Sequence, residues 1–337
     1  MAEPTDPPIW DVHAHHLPEA ALAMMGDGAV QVRIEVVGDK PESITVNGMA
    51  VGATIGQLAD PAALLAATDA AGIDRRVISP PPFTYRYWDE PENTLRLHRL
   101  LNEATAELVA AHPDRFVGLA SVPLQHTEQA IAEAVRARDE LGLVGVTLGT
   151  NVAGGNVDDP ERRPFLAAVA DAGMPVLIHP DFVPNPRTSK YYLVNLIGMP
   201  VESTITMANM LFSGLFEELP ALRVCFVHGG GAAPFLLGRW DKGWRVRPEA
   251  RSGEALPPSA RMSNVFCDTL THSPVALAYL VEVLGESNVV IGTDLPFDVE
   301  DANPRAHLRA APRLTPRQIN VIETESPVRW LTGSDPA

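Results

Sequence analysis

Three histidines and an aspartate fall within ten residues near the start of the chain, in IWDVHAHHLP (9–18), although the whole chain of 337 residues holds only ten histidines. His13 and His15 stand two positions apart. On a strand they face the same side, about 6.5 Å apart along the chain, near enough for two imidazoles to close on one ion through bonds of about 2.1 Å. Three further segments end in groups of the same kind: His179 in PVLIHP, His228 in RVCFVHGGG and Asp294 in NVVIGTDLP. Alone, each signal is weak. A buried histidine is more often satisfied by a backbone carbonyl, and GTDLP alone reads as a turn. Five such residues at four strand ends amount to one shared metal site, provided that the fold brings those ends together.

The elements that must do so are eight short apolar runs, at 9–15, 75–80, 116–123, 143–150, 175–180, 223–230, 264–271 and 288–296. Each is continuously apolar and bounded by Gly, Pro or Asp, as strands buried on both faces are. Helical patterns separate them, at 61–72, 92–111, 127–141, 160–172, 201–218, 233–243 and 274–284. Eight such alternations in a chain of this length predict an α/β fold, a (β/α)8 TIM barrel, spanning residues 1–337 as one domain. Groups at the C-terminal ends of its strands converge on one mouth. A doubly wound sheet is the competitor, but HGGGAAP lacks the last glycine of the dinucleotide-binding pattern. Residues 30–52 interrupt the rhythm with alternating residues and Gly-Asp and Asn-Gly turns, predicting an inserted β-hairpin or small antiparallel sheet that caps the mouth.

Composition narrows the partners. A net charge of −16 argues against nucleic acid or an anionic membrane, either of which would need a basic patch. Cys225 and Cys267 lie inside apolar runs and read as buried free thiols. No window approaches a membrane span, and MAEPTDPP does not begin a signal peptide, so a cytoplasmic protein is expected. A serine hydrolase using HGGG would need a G-x-S-x-G elbow, which the sequence lacks.

The motifs DVHAHH, LIHP, FVHGGG and IGTDLPF, with HPDRFVGLASVPLQ and HGGG…FLLGRWDKGW, resemble the amidohydrolase superfamily. The resemblance covers nearly the whole chain. It is to the branch of aminocarboxymuconate-semialdehyde decarboxylase, resorcylate-type decarboxylases and related hydratases. It implies one divalent metal held by His13, His15, His179 and Asp294, with His228 just outside as the acid/base. Two-metal members bridge their ions through a carboxylated lysine on the fourth strand. Here that strand reads LVGVTLGT, and Lys40, Lys190 and Lys242 lie on no strand, so one metal is expected. Three imidazoles and one carboxylate suit Zn2+, with Mn2+ as the substitute.

The implied reaction is non-oxidative loss of CO2 from an unsaturated or aromatic carboxylic acid, with Asp294 also able to pass a proton. Hydrolysis or hydration of a lactone, ester or unsaturated acid on the same site is the alternative. The resemblance also implies a homodimer in which Arg239 reaches a substrate carboxylate across the interface. The family's arginine before the first barrel helix has no counterpart in AVGAT (50–54), and Tyr191 stands where a tryptophan is usual. Both departures point to a substrate other than the semialdehyde. Further pocket candidates are Phe83, Arg86, Trp88 and Phe182; Asp268 is a candidate to orient a ligand. His98, His112, His126 and His307 are expected to be structural or solvated, and His16 a bystander.

Overall fold

All eight apolar runs become strands of one parallel sheet, in chain order around it: Trp10–His15, Arg75–Ser79, Phe116–Ser121, Gly145–Leu148, Val176–Ile178, Val224–Phe226, Val265–Asp268 and Val289–Val290. The computed structural model describes residues 7–26, 32–35, 43–46, 49–181, 183–251 and 256–334. The first and eighth strands meet through backbone bonds. Val12 N–H donates to Ile291 O and His15 N–H to Leu295 O, both at 2.8 Å, which closes the sheet into a barrel. Inside it, Val12, Val77, Leu119, Leu177, Cys225, Phe266 and Val290 form a buried cluster that Trp330 of the last helix joins. Filling the barrel with branched and aromatic side chains leaves the polar chemistry to the strand ends.

Helices Pro61–Ala70, Pro91–Ala111, Thr127–Asp139, Arg163–Asp171, Met199–Phe212, Ala233–Val246 and Pro274–Leu284 follow successive strands, near the positions the sequence pattern predicts. Among the described residues none is long and apolar enough to cross a membrane. Both cysteines are buried and free.

Of the two forms expected for the insertion, it takes the small antiparallel sheet. Strands Val32–Glu35, Ser43–Val46 and Met49–Thr54 form a three-stranded antiparallel sheet, and the third runs past residue 52. Thr54 then starts the next helix through a reciprocal capping pair with Gln57. Ile44, Val51 and Ala53 of the insertion share a buried cluster with Leu17, Phe83 and Phe297. The insertion is thereby tied to the segment just beyond the eighth strand.

Candidate metal centre

The first strand carries one residue more than its neighbour, between Asp11 and Ala14 against Arg76 and Ile78. Such a bulge re-aims the side chains beyond it. His13 O also accepts the N–H of Asp294 at 2.9 Å, which fixes the eighth strand's end beside the first. His13, His15, His179 and Asp294 each offer one ligand atom, and those atoms lie within 4.8 Å of one another. Asp294 Oδ1 is 3.1 Å from Nε2 of both His13 and His15, and 3.6 Å from Nε2 of His179. All four residues are buried.

The outer ring nitrogens set the tautomers. His13 Nδ1 donates to Asp268 Oδ2 at 2.8 Å, and His179 Nδ1 donates to Pro180 O at 2.7 Å. His15 Nδ1 lies 3.4 Å from Ser79 Oγ. In the neutral rings of His13 and His179 the Nε2 is thus left to present a lone pair inward, the form a metal requires. Nε2 of His13 and of His179 is buried with no hydrogen-bond partner. Orphaned nitrogens are costly unless an ion holds them. The four donors fit a single divalent metal.

Electrostatics follow from burial and two carboxylates. Burial disfavours charge on His13, yet Asp294 and Asp268 outweigh it and raise the pKa to about 10. Burial takes His179 down to about 3 and lowers His15. It would raise Asp294, but the charge on His13 and the surrounding ring N–H groups hold that carboxyl well below its usual range. Without an ion His13 therefore holds a proton, which a metal would displace.

His228 completes the group. Its Nε2 is 3.4 Å from Asp294 Oδ2, on the side away from the other imidazoles' shared oxygen. Both His228 (φ 56°) and Asp294 (φ 63°) hold left-handed backbone, which costs a non-glycine residue about 1 kcal/mol or more. A cavity of about 710 Å³ opens on both, walled by Leu196, Met199, Phe235, Leu270 and Leu280 and by four further ionisable side chains, His272, Tyr279, Asp298 and Glu300. Burial and nearby carboxylates raise Glu300 to about 7, against the pull of Arg76.

Other sequence candidates lie elsewhere. Phe83 is buried in the cluster beneath the insertion together with Phe297, whose ring is 5.2 Å from that of His15. Arg86 is buried and paired with Asp89, and Trp88 is half exposed. Tyr191 is 84% exposed. In its neighbour Tyr192, burial and the charges of Asp298 and Asp294 raise the phenol pKa. Arg239 is exposed and is not among the cavity walls. Phe182 lies outside the described residues. His16 is buried and takes no part in the metal set. His98 is structural, its ring bonded to Ser121 and Tyr85.

Sequence reasoning passed over Asp298, Glu300 and Tyr192, and also Arg76 and Thr293. Arg76 Nη1 pairs with Asp11 and donates to Thr293 Oγ1 at 2.7 Å, a buried network directly under the ligands. Arginine after aspartate in IDRRVI carries no signal of that pairing.

Comparison with known proteins agrees with this geometry. The family described as Amidohydrolase matches residues 10–320. A 2-amino-3-carboxymuconate-6-semialdehyde decarboxylase of Dictyostelium discoideum is 39% identical over 234 residues, spanning 69% of this chain and 65% of that protein. The crystal structure of 5-carboxyvanillate decarboxylase from Sphingomonas paucimobilis superposes with a TM-score of 0.82 at 26% identity, covering 96% of this chain and 98% of its own. A 5-carboxyvanillate decarboxylase from Novosphingobium aromaticivorans, with bound manganese, shares the fold at a TM-score of 0.82 and 20% identity, over 97% of each chain.

Proposed function

The chain belongs to the amidohydrolase family, and on that premise we propose that it is a metal-dependent carboxy-lyase releasing CO2 from an unsaturated or aromatic carboxylic acid. The observation that carries the reading is the joining of the four-donor set to His228 on one cavity. Relatives named as decarboxylases support it. We assign the metal as Zn2+, on three neutral imidazoles and one carboxylate, with Mn2+ as the other ion this set accepts.

When bound, the ion supplies Lewis acidity toward a substrate oxygen. His228 holds a proton at Nε2, oriented by Asp294 Oδ2, and delivers it to the carbon that bears the carboxylate. That carbon gains hydrogen as the bond to the carboxylate breaks, and its electrons return to the substrate's unsaturated system as CO2 departs.

We also read the protein as a cytoplasmic homodimer. Two free buried thiols support a reducing compartment. The dimer is supported by the exposed apolar residues Leu196, Ile197 and Phe235, the last 78% exposed, beside the cavity mouth. Arg239 lies one turn beyond Phe235 and is proposed to serve a neighbouring copy; Tyr191 and Phe182, which follow the fifth strand in sequence, are proposed to meet substrate. Phe83 backs the site through the cluster that holds Phe297.

The test is metal content together with CO2 release from a panel of unsaturated and aromatic acids. About one zinc or manganese per chain is expected. His228→Asn should keep its metal and lose CO2 release by about a hundredfold or more. Metal-loaded protein that leaves every acid intact would overturn the reading.

A further inference from the structure

Among the described residues, neither arginine nor lysine lines the cavity that opens on Asp294 and His228; beyond those two, its ionisable walls are His272, Tyr279, Asp298 and Glu300. The two acids are fixed in place. Asp298 N–H donates to Gly52 O of the insertion at 2.8 Å, and Glu300 N–H donates to Phe297 O at 2.9 Å. The insertion closes tightly there: Gly52 has φ +78°, and a β-carbon at that position would run into the Asp298 carboxylate. Glu300 Oε2 is buried with no hydrogen-bond partner, an acceptor that a donor in the cavity would satisfy.

Two consequences follow for whatever lies against the metal ligands. A second carboxylate reaching across the cavity meets like charge without a compensating cation. A hydroxyl or amine at the same place meets an open acceptor. Resting on the decarboxylase reading for its first carboxylate, we propose that Asp298 and Glu300 are specificity residues, selecting acids with one carboxylate and a hydrogen-bond donor and turning away acids with a second carboxylate.

The test compares binding of 2-hydroxybenzoate and of its 3-carboxy analogue, 2-hydroxyisophthalate, to metal-loaded protein by calorimetry at pH 8. The mono-acid should bind at least about tenfold more tightly. In the Asp298→Asn/Glu300→Gln variant that ratio should fall to about twofold or less, chiefly through tighter binding of the diacid. Single variants, each closer to the native packing, should divide the change between them. Equal binding of the two acids to the native protein, failure of the mono-acid to bind, or a ratio unmoved in all three variants would overturn the proposal. The ratio is read from binding, so discrimination without CO2 release would refute the lyase reading and leave this assignment standing.

Discussion

Asp268 shows how much of the centre depends on a residue that touches no ion. Its Oδ2 accepts from His13 Nδ1, and its Oδ1 accepts from the N–H groups of Gly229, at 2.8 Å, and Leu270, at 3.1 Å. One carboxylate thus fixes a ligand's tautomer and anchors the turn beside His228. Asp268→Asn keeps the shape but can offer His13 an N–H in place of an acceptor, so metal affinity should fall by about 10- to 100-fold. Chelator competition measures it; unchanged affinity would show that the tautomer is set elsewhere. The ligands were legible because histidine and aspartate at strand ends carry chemistry on their face. Asp268 was visible only as a candidate, and Asp298, Glu300 and Tyr192 not at all. Their relevance comes from where a loop returns after the eighth strand, and DLPFDVE reads locally as a turn.

At the scale of elements, the strands were legible because burial on both faces leaves continuous apolar runs. The insertion's third strand was not. MAVGAT is built of small residues, and Gly52 at φ +78° breaks the alternation that marks a strand. His98, on the helix Pro91–Ala111, was read as structural, and the structure gives the reason. Its Nε2–H donates to Tyr85 O at 3.2 Å, and Nδ1 accepts from Ser121 Oγ at 2.6 Å, so the neutral ring ties helix, loop and third strand together. Burial lowers its pKa to about 4. The unfolded chain protonates this histidine near 6.5 while the native state does not. Its contribution is therefore complete above pH 6.5 and is lost as the pH falls toward 4. Between pH 7.5 and 4.5 the wild type should lose roughly 2 to 3 kcal/mol more stability than His98→Gln. Urea unfolding at the two pH values reads the difference, and parallel losses would mean that this ring is not the group titrating.

Across the whole molecule, a net charge of −16 surrounds a cavity with no arginine or lysine among its described walls, yet the proposed substrate is an anion. Beyond the metal, the described walls offer that anion no cation, so a second one would come from outside them. Arg239 is exposed on the helix whose Phe235 forms part of the cavity wall. In a two-fold dimer the same patch meets its own copy, so one arginine would enter each site, enough for one carboxylate. Mixing two inactive proteins tests this. His228→Asn lacks the proton donor and Arg239→Ala the cation. If the arginine crosses the interface, half the chains' dimers are mixed and each mixed dimer rebuilds one intact site, so CO2 release should recover to about a quarter of the wild-type rate. An arginine acting within its own chain leaves both sites of every mixed dimer defective, and the mixture stays inactive. Phe235→Asp, by placing charge in the patch, should give monomers in sedimentation that bind metal normally and release CO2 no faster than Arg239→Ala.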